Sequence, residues 1–249
     1  MTCDGRRIQA VIFDLDDTLL DWSGRSQTWE AFQLHHAGLL HDYLESQGYE
    51  LPEPRELAES IGKFSQEVWS EARQDWLGAS FLESLRRTFD AFGLVEVDMN
   101  AALEAYDWQP MPGVELFAET YSVLDRLQEQ GYRLGLITNS FLPMHVRDVE
   151  LAHYGLLDYF PDRITSGDTG FMKPHPAIYW RLLGMMRLMP SEAIYVGDRP
   201  ENDILGANLV GMTSVWRQVR EFGSDLAQAT PDYTIDDLSQ VITILEELG

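Results

Sequence analysis

The chain has 249 residues, enough for one large domain or for a core with an insertion, and at 45% hydrophobic it can bury a sizeable core, which excludes intrinsic disorder. Its formal charge is -23, from 41 acids against 18 Lys plus Arg, so nucleic acid and anionic membranes are repelled and neither is expected as a partner. A phosphorylated ligand would need local cations, and the only lysines are Lys63 and Lys173. An acid excess of this size also suits a high-salt habitat. Cys3 is the single cysteine and the first residues show no signal-peptide pattern, which points to a reducing compartment, the cytoplasm. No apolar stretch approaches the roughly 20 residues of a membrane span.

Residues 8–14 read as the first strand, a continuous apolar run of the kind buried in parallel sheets. It leads straight into Asp14, Asp16 and Asp17, followed by Thr18. Carboxylates this close repel one another, so a shared cation or electrophile is the economical reason for the crowding. The next convincing strand is 132–138, and a helix over 114–130, ending at Gly131, supplies the crossover between the two. Residues 21–109 are therefore surplus to the crossover and form an insertion. Apolar stripes at helical spacing run through Trp29, Phe32, His36 and Leu40, through Leu57, Ile61, Phe64 and Val68, and through Leu82, Leu85 and Phe89. A shorter helical signal covers 99–106. The insertion is thus expected to be a small helical bundle with its own core. Trp29, Trp69 and Trp76 are expected to pack, Arg86 and Arg87 to be solvated, and His35, His36 and His41 to be ordinary satisfied or exposed histidines.

After residue 138 the chain alternates helix and strand. Helices are expected at 143–154, 176–188, 201–209 and 238–248, with strands at 163–166, 193–196, 213–216 and an edge strand at 233–235. Residues 217–231 read as a surface loop. The alternation predicts an α/β fold, a doubly wound and mainly parallel sheet.

Ligands of open parallel sheets bind beyond the carboxyl ends of the strands. Asp14 and Asp16 lie at the first such end, Thr138 and Asn139 at the second, Lys173 in the loop after the third, and Asp198 and Asp203 after the fourth. Asp14 and Asp198 offer the oxygen ligands that Mg²⁺ prefers, and Lys173 and the Thr138 hydroxyl offer donors to phosphoryl oxygens. Asp16, two residues past Asp14, is placed to reach a leaving-group oxygen as general acid and then to activate water. Asp17 reads as a solvent-facing or turn residue, Thr18 as a support of its loop, and Ser140 as a cap of the following helix.

These four sets, in this order, resemble the motifs of the haloacid dehalogenase superfamily of phosphohydrolases: Asp14-Leu15-Asp16-Asp17-Thr18, Thr138, Lys173-Pro174, and Asp198 with Asp203. The resemblance implies a Rossmann-like catalytic core over 1–20 and 110–249 and a helical type-one cap over 21–109. It also implies a Mg²⁺-dependent phosphatase acting on a small phosphorylated metabolite, as a monomer or homodimer. Asp14 would be the nucleophile that forms an aspartyl-phosphate, and Asp16 the acid and then the base. Asp14, the Asp16 backbone carbonyl and Asp198 would hold the metal. Thr138, the Asn139 amide and Lys173 would bind the phosphoryl group, and Asp203 would orient Lys173 or a metal-bound water. Relatives that are 2-haloacid dehalogenases share the nucleophile but lack the second aspartate of the first motif, so Asp16 argues against that activity. A phosphomutase is an alternative on the same fold, and so is a non-catalytic binding protein, from which one of the four motif residues would be expected to be missing.

Overall fold

A computed structural model describes residues 8–219 and 229–249. The chain opens with β1 (Ala10–Phe13), followed by the short strand β2 (Leu20–Asp21). Four helices come next: α1 (Trp29–Ser46), α2 (Pro54–Asp75), α3 (Phe81–Ala91) and α4 (Met99–Ala105). β3 (Glu115–Leu116) returns antiparallel to β2, so the two ends of the helical segment lie side by side. Then follow α5 (Thr120–Glu129), β4 (Arg133–Thr138), α6 (Met144–His153), β5 (Asp162–Thr165) and a single turn, α7 (Ser166–Thr169). The chain closes with α8 (Pro176–Met186), β6 (Ala193–Gly197), α9 (Leu205–Val210), β7 (Thr213–Arg217), β8 (Tyr233–Ile235) and α10 (Gln240–Leu248).

Six strands form one parallel sheet in the order β5-β4-β1-β6-β7-β8. Strand side chains alternate between faces. Val11 and Phe13 of β1 therefore join one apolar cluster and Ala10 and Ile12 the other. The second cluster packs the sheet on Ile178, Leu182 and Met186 of α8 and on Ala207 and Val210 of α9. The first packs it on α5, α6 and α10 through Leu124, Leu151 and Val241. With both faces covered, the strands can be apolar throughout, which is why β1 and β6 are buried at every residue.

Three departures from the sequence reading have local causes. The helix expected over 114–130 starts only at Thr120, because Glu115 and Leu116 pair with β2. The helix expected over 201–209 begins with a wide π-type turn, Pro200–Ile204, and becomes regular only at Leu205. The helical insertion does not have a separate core: Phe32, Leu40, Leu57 and Phe81 belong to the same cluster as Phe13 and Leu136 of the sheet. Phe141, from the loop after β4, bridges the two by meeting Phe81 at 5.1 Å and Trp69 at 6.0 Å. The loop expected over 217–231 falls mainly outside the described residues, and Arg217 itself closes β7.

The backbone also stitches the insertion to the sheet. Past the end of α2, the Gly78 N–H donates to the Gly170 carbonyl (2.8 Å), and the Met172 N–H donates to that of Trp76 (2.9 Å). Leu77 and Phe171 form an antiparallel bridge between them. Gly78 permits this approach, since a Cβ there would lie 2.1 Å from the Ser166 carbonyl oxygen. Among the described residues, no helix is long and apolar enough to cross a membrane.

Candidate active site

β1 ends at Phe13, and the Asp14 N–H donates to the Val196 carbonyl of the neighbouring β6 (2.9 Å), which fixes the residue at the sheet's carboxyl edge. Lys173 arrives from the loop between α7 and α8. Its Nζ donates to Asp14 Oδ1 (2.6 Å), Asp203 Oδ1 (2.7 Å) and the Tyr195 hydroxyl (3.0 Å), and the side chain is 2% exposed. Burial alone would push this ammonium down, but Asp14 and Asp203 more than offset it and hold its pKa above the ordinary range. Asp14 is raised to about 7, chiefly by burial; Lys173 opposes the rise, and the Asp203 and Asp16 carboxylates add to it. At 2.6 Å, Asp14 and Lys173 form an ion pair, and desolvation together with the surrounding acids drives the upward shift.

Asp14, Asp198 and Asp203 each present a carboxylate oxygen within 4.8 Å of the others. The carboxylates of Asp198 and Asp203 are used differently. Asp203 Oδ2 accepts the Arg199 N–H (2.9 Å) while Oδ1 takes Lys173, so its oxygens are engaged by protein donors. Gly197 makes room for it, because a Cβ there would sit 2.4 Å from Asp203 Cγ. Both oxygens of Asp198 are buried with no hydrogen-bond partner among the described residues. Burial, reinforced by Asp14 and Asp203, lifts Asp198 to about 9. Bare buried carboxylate oxygens beside a second carboxylate fit a hard divalent cation, which takes oxygen ligands and offsets the charge.

Asp16 turns away from this cluster. It accepts from the Trp22 indole N–H (2.9 Å), from one guanidinium nitrogen of Arg147 (3.1 Å to each oxygen) and from the Thr138 hydroxyl at 3.4 Å. Arg147, on α6, is itself buried and lies 2.8 Å from Glu150 Oε2, and burial raises Glu150 to about 7. The Asn139 side chain clamps the Lys173 backbone from both sides, donating to its carbonyl (3.0 Å) and accepting from its N–H (2.8 Å). The Lys173–Pro174 peptide bond that follows is cis.

The residues named from sequence thus fall together. Asp14, Asp16, Thr138, Asn139, Lys173 and Asp203 line one cleft of about 630 Å³, and Asp198 lies buried beside Asp14. Asp17 is buried with φ +59° rather than solvent-facing, a turn residue whose N–H donates to the Leu20 carbonyl. Thr18 supports its loop through its backbone, its N–H donating to the Leu15 carbonyl (3.3 Å) and its carbonyl accepting from Arg217, while its hydroxyl has no hydrogen-bond partner among the described residues. Ser140 does not cap α6: its hydroxyl accepts from Leu142, and Asp168 takes the first α6 N–H, that of Met144.

A family model described as haloacid dehalogenase-like hydrolase matches residues 8–211. The chain belongs to this family. Among its relatives, a glyceraldehyde 3-phosphate phosphatase from Pyrococcus furiosus is 30% identical over 97% of this chain and 94% of its own. A glyceraldehyde 3-phosphate phosphatase from Methanopyrus kandleri is 28% identical over 97% of this chain and 99% of its own. The crystal structure of a 2-haloacid dehalogenase from Pseudomonas syringae pv. Tomato DC3000 superposes with a TM-score of 0.65, at 27% identity, over 97% of this chain and all of the other. Membership of the haloacid dehalogenase-like hydrolases makes the chain a hydrolase.

The sequence reading missed Trp22, Arg147 and Tyr195, which hold Asp16 and Lys173, since none belongs to a motif. Arg147 stands one helical turn before Glu150 within an apolar helix face, a paired buried charge that was legible as i, i+3 spacing. It also missed Arg73 and Arg199, which line the cleft together with Trp69 and Trp76. Of the three tryptophans expected to pack, Trp29 stacks on Phe32 and meets Trp108 at a tilt, whereas Trp76 is 40% exposed in the cleft wall. Arg86 and Arg87 pair with Glu83, Asp90 and Glu71 outside the cleft. His36 Nδ1 bonds the Tyr106 carbonyl at 3.0 Å, and burial lowers its pKa.

Proposed function

We propose that this hydrolase is a Mg²⁺-dependent phosphatase that cleaves a small phosphomonoester through an aspartyl-phosphate on Asp14. The observation that carries the reading is Asp198, whose two buried, unpartnered carboxylate oxygens stand beside Asp14. Asp14, Asp198 and the Asp16 backbone carbonyl would hold the ion, which when bound supplies a Lewis acid to offset charge on phosphoryl oxygens. Lys173, Thr138 and the Asn139 amide donate to the same oxygens. The Asp14 carboxylate attacks phosphorus in line while the bond to the leaving oxygen breaks, and Asp16 gives that oxygen its proton. Asp16 then takes a proton from water as the water attacks phosphorus, which frees phosphate and restores Asp14. Asp203, engaged by Lys173 and the Arg199 N–H, keeps the lysine aimed at Asp14.

In this reading residues 21–109 are the cap and 1–20 with 110–249 the core. The cleft between α2 and the strand ends excludes water and receives the leaving group. Two full-length relatives carry the name of a phosphatase, which supports phosphoryl over halide chemistry. The test is phosphate release from a panel of phosphorylated metabolites with Mg²⁺, before and after chelation. Chelator is expected to abolish turnover and added Mg²⁺ to restore it. Turnover that survives complete metal removal, or halide release from 2-chloropropionate in place of phosphate release, overturns the reading.

A further inference from the structure

We infer that the leaving group of the substrate carries a second anionic group, a carboxylate or a phosphate, gripped by Arg73 of α2 and Arg199 of the loop after β6. The inference rests on the phosphatase reading for what occupies the Asp14 end, and the two can fail separately.

Trp69 and Arg73 stand at i and i+4 on α2, Trp76 follows directly after its last residue with φ +54°, and all three line the cleft that holds Asp14 and Lys173. The Arg73 guanidinium lies over the Trp69 ring, 5.7 Å from its centroid. Trp69 in turn stands edge-on against Phe141 of the sheet loop. Stacking of this kind occupies the flat face of a guanidinium and leaves its edge donors free, the arrangement suited to a planar or tetrahedral oxyanion. Arg199 lines the same cleft, from the segment that carries Asp198 and Asp203.

The charge pattern gives the sign of the ligand. This chain has 41 acids for its 18 Lys plus Arg, so a carboxylate is easily found. Arg86, Arg87, Arg133, Arg147, Arg163 and Arg217 all have one. Among the described residues, Arg25, Arg55, Arg73, Arg126, Arg181, Arg187 and Arg199 form no ion pair, and of these only Arg73 and Arg199 line the cleft that holds Asp14. At the Asp14 end of the cleft one lysine, Lys173, faces two aspartates, Asp14 and Asp203, and Asp16 pairs with Arg147, so that end keeps an excess of negative charge. The other lining charges are Arg73 and Arg199 against Glu201, a net positive wall in a strongly negative molecule. A neutral leaving group would offer these guanidinia no charged acceptor, whereas an anionic one meets charge-assisted, fork-like donors.

The test compares propylphosphonate, 3-phosphonopropanoate and ethane-1,2-bisphosphonate by calorimetry in Mg²⁺ and about 0.15 M salt. The three share a phosphonate head and differ in a methyl, carboxylate or phosphonate tail. Both anionic tails are expected to bind at least about tenfold more tightly than the methyl tail. Arg73→Gln and Arg199→Gln should each reduce that preference severalfold. Arg126→Gln, which removes the same charge outside the cleft, should leave it intact. A carboxylate preferred over a phosphonate, or the reverse, identifies which anion the subsite takes. Equal affinities across the three, no binding by any of them, or an Arg126→Gln effect equal to the others overturns the inference. Phosphate release from the matching esters is measured in parallel. Absent turnover with the binding preference intact sinks the phosphatase reading and leaves the subsite standing.

Discussion

Asp198 and Asp203 leave the same strand and are equally buried, yet only Asp203 has its oxygens occupied by protein donors. Asp198→Asn keeps the volume and removes a carboxyl that burial lifts to about 9, so that folding near neutral pH no longer has to neutralise it. In chelator the variant is therefore expected to melt a few degrees above the parent chain, because relief of desolvation outweighs the small change in shape. Mg²⁺ should raise the melting temperature of the parent by mass action, about 2.7 kcal/mol at a hundredfold excess over Kd, and leave the variant unmoved. Thermal scans with and without the ion check both halves, and a variant destabilised in chelator would show that the carboxylate has a structural partner. At this scale the acids and Lys173 were legible because they follow apolar strands in sequence. Trp22 and Tyr195 were not, nor was the reach of Arg147 to Asp16 beyond its i, i+3 pairing with Glu150, because contact with Asp16 or Lys173 depends on how α6, the turn after β2, and β6 face the crevice. That information is three-dimensional and no spacing encodes it.

Elements carry two further expectations. On α3, Glu83 accepts from Arg86 (2.7 and 2.8 Å) and Arg87 (2.8 Å). The Arg86 hydrogen bonds lead in holding its carboxyl down at about 2. A depressed carboxyl stabilises the fold above its unfolded pKa of 4.5, and that contribution is lost as pH falls through about 2. Glu83→Gln should therefore cost about 0.5–1 kcal/mol at pH 7, the upper range for solvent-screened pairs, with the gap to the parent shrinking in urea titrations at pH 3.5. At the end of α2, Gly78→Ala would press a methyl against the Ser166 carbonyl, and the backbone cannot yield without breaking the bridge to Phe171. A loss of about 2–3 kcal/mol is expected in denaturant unfolding. The elements themselves were largely readable from periodicity. The shortened α5 was not, since the pairing of Glu115 and Leu116 with β2 depends on residues some ninety positions earlier. Nor was the shared core, which depends on Phe141 reaching across to Phe81.

The whole molecule carries a formal charge of -23 spread over surface and site alike. Self-repulsion at this charge opposes the compact state, and at 1 M salt the screening length shrinks to about 3 Å. Raising NaCl from 0.01 to 1 M is expected to raise the melting temperature in chelator, and a flat or falling curve would show that specific ion pairs outweigh the general field. Fold class and strand sequence were legible at this scale because alternating apolar strands and helices admit few topologies. The position of α2 over the strand ends was not, for it is set by the backbone bonds at Trp76, Gly78 and Phe81. Those bonds bear on how the protein could be re-engineered. The paired ends at β2 and β3 invite exchange of the helical segment as a cassette, with two adjacent splice points. A transplanted segment would nonetheless arrive without the strand partner that Gly170 and Met172 expect, next door to Lys173. A working chimera would have to inherit its helices and residues 170–172 from the same parent, two stretches distant in sequence that behave as one heritable unit.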